Sequence, residues 1–143
     1  MIFLDANFFL RHLTRATTSE LERMQAIASA LFEAIERGDV EATTAEVVLH
    51  EVCYLLSSKK HYGLTWPEIA DYLTPLVRLS GLKFGRGEKR VYLRALEIVA
   101  AHPKLEFADS IIAARCEASD MQLATFDKAL ATFPGVNHWT PPN

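Results

Sequence analysis

Cysteine is scarce in this chain, and so are the two residues that most often interrupt regular structure. The 143 residues include 2 Cys, 6 Gly and 6 Pro. Two cysteines cannot build a disulfide framework, and Cys53 and Cys116 stand among apolar neighbours, where a free thiol behaves as a small hydrophobe. The low glycine and proline content excludes a collagen-like or low-complexity chain.

Long apolar runs and a large excess of one charge are absent as well. No run approaches the roughly 18 apolar residues of a membrane span, and the N-terminus lacks the basic and apolar regions of a signal peptide. We therefore expect a cytoplasmic protein with no membrane association. The 15 Lys and Arg stand against 18 Asp and Glu, a formal net charge of −3, which argues against a strongly basic nucleic-acid coat protein. A nuclease with a local basic patch remains compatible with this balance.

The apolar residues that are present suffice for one hydrophobic core. Half of the chain is hydrophobic (50%) and 23% is charged, which excludes a disordered tail. The length suits one domain and is too short for two ordinary ones. We expect a single domain over residues 1–143.

Short apolar runs alternate with stretches of helical periodicity along the whole chain. The runs typical of strands are residues 2–4, 40–43, 82–84, 122–125 and 136–139, and helices are predicted over 5–13, 19–37, 45–59, 65–79, 87–101, 107–118 and 128–132. This alternation predicts an α/β fold around a parallel sheet with helices on both faces. In such sheets the functional site lies beyond the carboxyl ends of the strands.

Two aspartates directly follow predicted strands. Asp5 comes after residues 2–4, and Asp127 comes after residues 122–126. Each of them alone is most simply read as a helix N-cap. Together they place two carboxylates at the same edge of one parallel sheet.

Two further acids stand on apolar helix faces. Glu51 has apolar residues one turn away on both sides, so we expect it within or beside the stripe that faces the core. Asp109 shares a helical stripe with Leu105 and Cys116. A Glu that extends to solvent and an Asp that interacts with a helix dipole are the alternative readings. Acids are seldom buried without a partner, so both positions also suit carboxylates held for a cation.

Four acids in this arrangement indicate a site for a divalent cation. Mg²⁺ and Mn²⁺ prefer hard oxygen ligands, and carboxylates are their usual protein ligands. The five histidines lack zinc-site spacing, and the chain contains no glycine-rich phosphate loop and no serine elbow. We therefore expect Mg²⁺ or Mn²⁺ as the cofactor.

Four short segments carry a resemblance to a known family. They are Asp5-Ala6-Asn7, the Val48–Val52 segment around Glu51, the Phe107–Ala113 segment around Asp109, and the Ala124–Lys128 segment around Asp127. In this order the segments resemble the PIN domain family of metal-dependent nucleases. The ending Phe133–Val136 is similar to the VapC-type toxins of toxin–antitoxin pairs. Ser110 departs from the family pattern, in which a small apolar residue usually follows the aspartate.

The resemblance implies a fold and a set of site residues. The fold is a three-layer α/β/α sandwich with a short, mostly parallel sheet of about five strands. The implied catalytic and metal-binding acids are Asp5, Glu51, Asp109 and Asp127, with Asn7 and Thr125 as supporting polar residues. The resemblance further implies an endoribonuclease that uses Mg²⁺ or Mn²⁺, forms a homodimer, and is held inactive by a cognate antitoxin protein.

An RNA substrate requires positive charge near such an acidic site. The candidate RNA-binding residues are Arg11, Lys59, Lys60, Arg86, Lys89 and Arg90. A solvated helix end is the alternative interpretation for each of them. Tyr62, Trp66 and Tyr72 could stack on bases, or belong to the core or a dimer interface.

Two other functions fit part of the pattern. The first is a non-catalytic PIN-like module that binds a partner through the acidic pocket. The second is a phosphoacceptor domain of the receiver type, which also collects acids at strand ends. Receiver domains need an acidic pair near the first strand, whereas only Asp5 is present there.

Overall fold

Helices dominate residues 1–142, the part of the chain that the computed structural model describes. Seven helices and five short strands alternate within it. In chain order they are β1 (Ile2–Phe3), α1 (Ala6–Leu13), α2 (Ser19–Arg37), β2 (Ala42–Thr43), α3 (Glu46–Ser57), α4 (Trp66–Arg78), β3 (Leu82–Lys83), α5 (Glu88–Ala101), α6 (Phe107–Ser119), β4 (Gln122–Leu123), α7 (Lys128–Ala131) and β5 (Asn137–His138).

Local capping signals set the ends of several helices. Thr18 caps α2 by accepting a hydrogen bond from the Leu21 amide, and Gly38 ends α2 in the left-handed conformation with φ of 81°. Thr65 and Glu68 form a reciprocal capping box at the start of α4. The sequence predicts helix ends at these same positions. Such ends can be predicted because each capping group lies next to the backbone groups to which it hydrogen-bonds.

All strand pairings are parallel, which confirms the α/β class. In one sheet the order is β1-β2-β3, with Ile2 opposite Ala42 and Ala42 opposite Leu82. β4 pairs with β5 in a second sheet. The described residues therefore do not form the expected single sheet of about five strands. Each strand is two residues long, and after β1 the chain enters helix α1 almost at once, with Asp5 as its cap.

The core lies between the helices and the three-stranded sheet. α4 packs against α5 and α5 against α6, while α1 contacts both α2 and α3. Large side chains that are almost wholly buried include Leu4, Phe9, Ile35, Leu49, Leu56, Ile69, Leu73 and Leu96. Cys53 and Cys116 are free and buried, as the sequence predicts, and burial raises the pKa of both thiols. Among the described helices, none has the length and apolar character needed to cross a membrane.

Candidate active site

The carboxyl ends of β1 and β2 meet at a buried hydrogen bond. The Thr44 hydroxyl donates to the Leu4 carbonyl at 2.8 Å, and the Leu4 amide donates to the Thr43 carbonyl at 2.8 Å. Asp5 follows at once and caps α1, since its carboxylate accepts a hydrogen bond from the Ala6 amide at 2.7 Å. The Asp5 side chain is thus fixed at the carboxyl edge of the sheet and exposed to solvent.

Asp127 is positioned in a similar way after β4. The Thr125 hydroxyl accepts a hydrogen bond from the Asp127 amide at 3.0 Å. The Asp127 carboxylate accepts one from the Leu130 amide at 3.0 Å and so caps α7. Thr125 therefore supports the loop that presents Asp127, and one carboxylate oxygen of Asp127 already has a backbone donor.

Asp109 lies in the first turn of α6 and is partly buried. Burial raises the pKa of its carboxyl group, and the negative charges of Asp127 and Glu106 raise that pKa further. A hydrogen bond from the Glu106 backbone opposes this rise. The structure therefore brings Asp109 and Asp127 close enough to repel, although they stand on different elements. Repelling carboxylates of this kind are stabilised by a cation.

Glu51 does not lie within the core-facing stripe of α3, and its exposure fits the alternative reading of a Glu that extends to solvent. The Glu51 side chain is exposed, and so are those of Val47 and Tyr54, one turn before and after it. The buried face of α3 consists of Val48, Leu49, Val52, Cys53 and Leu56. Apolar residues occupy more of the circumference of α3 than the core can cover. For this reason the spacing around Glu51 does not tell the buried face from the exposed one.

Of the other three expected acids, Asp127 contributes a negative charge that raises the pKa of Asp109, and Glu106 contributes another. In residues 1–142, no three His, Cys, Asp or Glu side chains are grouped closely enough to hold a metal ion.

The acids that do meet nevertheless suit a magnesium-type ion. Mg²⁺ is usually held by one or two carboxylates, while waters and substrate phosphates complete its shell. The Asp109–Asp127 pair fits this donor set, with Glu106 beside it. Asn7, the predicted supporting residue, is exposed in the first turn of α1.

Glu106 is an acid beside Asp109 that the sequence analysis did not single out. It is the N-cap residue of α6, three positions before Asp109. The sequence signal for Glu106 was its spacing of three residues from Asp109, because residues three apart across the first turn of a helix are neighbours.

An arginine-centred network was missed as well. The Arg115 guanidinium on α6 donates to both carboxylate oxygens of Glu88, at 3.1 and 2.9 Å, and also to Glu46. The Tyr92 hydroxyl donates to Glu88 at 2.7 Å. These hydrogen bonds lower the pKa of Glu88, and burial together with the bond to Glu88 raises the pKa of Tyr92. Because Glu46 and Glu88 begin α3 and α5, the network joins the starts of these two helices to the second half of α6.

The candidate RNA-binding residues fall into two groups. Arg11 donates to the Tyr62 hydroxyl at 2.6 Å, which brings it beside the turn that carries Lys59 and Lys60. A separate group, Arg86, Lys89 and Arg90, lines a groove between β3 and α5.

The comparison with known protein families agrees with the α/β fold. The family model for the PIN domain matches residues 2–136, nearly the whole chain. No curated protein matched the sequence. The chain belongs to the PIN domain family.

Proposed function

We propose that this chain is an endoribonuclease dependent on Mg²⁺ or Mn²⁺, and that it is the toxin of a type II toxin–antitoxin pair. PIN domains generally have a nuclease-type fold, and the family match covers residues 2–136. The observation that carries the proposal is the partly buried carboxyl group of Asp109, whose pKa is raised by burial and by the negative charge of Asp127. The two come from separate elements, and one is partly buried despite the charge of the other.

The proposed chemistry is hydrolysis of RNA phosphodiester bonds. A divalent ion, when bound, supplies Lewis-acid chemistry: it acidifies water and offsets negative charge on the reacting phosphate. Asp109 and Asp127 hold the ion, and Thr125 keeps the Asp127 backbone in place. Asp5, fixed at the carboxyl end of β1 with its side chain in solvent, orients water or the incoming phosphate. Glu51, which is exposed on α3, is the fourth acid of the proposal.

Charge-removing substitutions that keep the caps test this assignment. Asp5→Asn and Asp127→Asn retain an oxygen that can accept the capping hydrogen bond, whereas the charge is lost. We expect Asp109→Asn and Asp127→Asn to lower cleavage of RNA about 100-fold or more, because several kcal/mol of ion-dependent stabilisation disappears. Asp71→Asn, an exposed acid of α4, is the matched control. Cleavage should stop in EDTA and return with Mg²⁺ or Mn²⁺. Undiminished cleavage by the Asp109→Asn protein would contradict the proposal.

The toxin assignment rests on the same acids and on the net charge of −3. A negatively charged chain with exposed acids attracts a cationic segment, which is the chemistry we propose for the antitoxin at this site. Expression of the chain should arrest growth, and co-expression of the neighbouring gene should relieve the arrest. The Asp109→Asn chain should be harmless. A wild-type chain that cleaves RNA but does not slow growth would refute the toxin role and leave the nuclease intact.

A non-catalytic binding module is the second candidate. It is favoured by the finding that no three metal-ligating side chains are grouped in the described part of the chain. RNA binding in EDTA together with no cleavage under any divalent cation would support this alternative.

A further inference from the structure

A groove of about 930 Å³ lies beside β3 and is lined by positive side chains. Its walls come from β3, the loop that leads into α5, α5 itself and the later part of α6. Lys83, Arg86, Lys89 and Arg90 line it, and we refer to it as the cationic groove. None of these residues belongs to the acid pair of the candidate active site.

The two acids of the cationic groove share one arginine. Glu97 and Glu117 both line the groove, and both bind Arg94. The Arg94 Nε donates to Glu117 Oε1 at 2.8 Å and Nη2 to Oε2 at 3.0 Å, while Nη1 lies 3.3 Å from Glu97. These three side chains sum to a formal charge of −1, against the four positive charges of the other lining residues, so the groove keeps a formal net charge of +3.

The remaining cations have no carboxylate partner. The ion pairs found within residues 1–142 include none for Lys83, Arg86 or Arg90. Lys89 is different, because its ammonium donates to the Leu79 carbonyl at 2.8 Å and so ties α5 to the end of α4. A chain with a net charge of −3 thus concentrates uncompensated positive charge along one groove.

The start of α5 adds to the positive character of the groove. Gly87, the N-cap residue, has φ of 81°, and no side chain of the described residues caps this helix. Gly85 and Gly87 also line the groove, so the backbone can be approached closely there. Uncapped amides and the helix dipole favour an anion at such a position.

The rest of the lining is apolar. Leu82, Phe84, Val91 and Ala114 contribute to it, and the Lys89 ammonium lies 5.9 Å from the centre of the Phe84 ring. A surface that combines positive groups with apolar and aromatic area suits a single nucleic-acid strand, which offers both phosphates and flat apolar faces. The volume of about 930 Å³ falls within the range of small-ligand sites, so it admits a few nucleotides rather than a duplex.

We propose that the cationic groove binds the phosphate backbone of single-stranded RNA at a site separate from the acid pair. This inference rests on the proposed ribonuclease function for the identity of the strand. Lys83, Arg86 and Arg90 contact phosphates, and Lys89 is a positioning residue that holds the first turn of α5 against α4. The groove thereby holds substrate on an otherwise negative protein and makes binding strongly dependent on salt.

The test is the binding of a labelled single-stranded RNA to the full chain in EDTA, measured across a range of salt concentrations. The variant is Arg86→Gln/Arg90→Gln. The control is Arg15→Gln/Arg37→Gln, which removes the same charge from exposed arginines outside the groove. We expect the groove variant to bind at least about fivefold more weakly and to lower the salt slope by about 1.4, the value for two lost phosphate contacts. In cleavage assays with Mn²⁺, its KM should rise while kcat stays the same.

Several results would overturn the inference. Equal weakening by both double variants would show that only net charge matters, and unchanged binding by the groove variant would show that RNA lies elsewhere. A poly-glutamate peptide that binds the groove more tightly than RNA would identify an acidic protein as the occupant.

Lys83→Gln, a single exposed change, is the second variant if the double variant does not fold. If wild type cleaves no RNA but the groove variant still loses RNA binding, the nuclease proposal fails and the groove stands.

Discussion

Ser110 carries a buried hydroxyl group for which the structure shows no partner. Its side chain lies on α6 with an exposed fraction of 0%, and its Oγ makes no hydrogen bond with any described residue. The substitution Ser110→Ala removes this oxygen and keeps the Cβ. We expect the variant to be more stable than wild type, because folding then no longer desolvates an unsatisfied hydroxyl.

The size of the effect follows from three contributions. Burial of an unsatisfied hydroxyl costs about 1–3 kcal/mol. Alanine has a helix propensity roughly 0.5 kcal/mol more favourable than serine. Against these gains stand the lost van der Waals contacts of one oxygen, each worth only about 0.1–0.2 kcal/mol. The free energy of unfolding should therefore rise by about 1–3 kcal/mol, which for a domain of this size raises Tm by roughly 3–10 °C.

Thermal and urea unfolding of wild type, Ser110→Ala and Ser119→Ala measures this difference. Ser119 is the exposed last residue of α6, so its replacement should change stability by no more than about 0.5 kcal/mol. An unchanged urea m value would show that all three proteins expose the same surface on unfolding, so that a shift in the midpoint reports a change in stability. A Ser110→Ala protein no more stable than wild type would refute the reasoning. It would mean that the hydroxyl has a partner, such as the Glu106 carbonyl one turn earlier.

Three further predictions concern the metal site, the core and the assembly. The folded pKa of Asp109 is raised, so its ionised form costs stability as pH rises through that pKa. Asp109→Asn should therefore raise Tm in EDTA at pH 7.5, with no gain below about pH 3.9. The same variant should lose the Tm increase that Mn²⁺ gives to wild type. Gly81→Ala should lower the free energy of unfolding by about 1–3 kcal/mol in urea titrations, since a Cβ would lie 2.6 Å from the Ile35 carbonyl oxygen, whereas Gly85→Ala meets only ordinary contacts. Light scattering should give about twice 16.0 kDa, because the family resemblance implies a homodimer and such dimers most often have C2 symmetry; a mass of 16.0 kDa at micromolar concentration would exclude it.

Local signals in the sequence account for most of the helices. The predicted helix over residues 65–79 corresponds to α4 at Trp66–Arg78, and the one over 87–101 corresponds to α5 at Glu88–Ala101. A capping box at Thr65 and glycines at positions 38 and 87 lie next to the backbone groups that they affect. Signals that act within one helical turn can be recognised without knowledge of the rest of the fold.

Features that depend on contacts between distant residues could not be predicted in the same way. Arg115 and Glu46 are separated by 69 positions, and only the packing of α6 near the start of α3 brings them together. The sequence could not decide between a core-facing and an exposed Glu51, because the apolar side chains of Val47 and Tyr54 lie on the exposed face of α3. The division of the strands between two sheets depends on where each segment leaves the hydrogen-bonded ladder of its sheet. The sequence of a two-residue strand does not specify that point.

The near balance of charge in the sequence conceals a separation of charge in the fold. Asp109 and Asp127 are held together at the starts of two helices, whereas Arg86 and Arg90 lie in a groove whose own acids are paired with Arg94. The acid pair gains stability only when a cation is present, but the groove attracts phosphates at any metal concentration. Under the two proposals, RNA binding and metal binding are therefore separable steps. Substrate can occupy the groove before the ion arrives, and the phosphate it presents can then complete the shell that two carboxylates leave open.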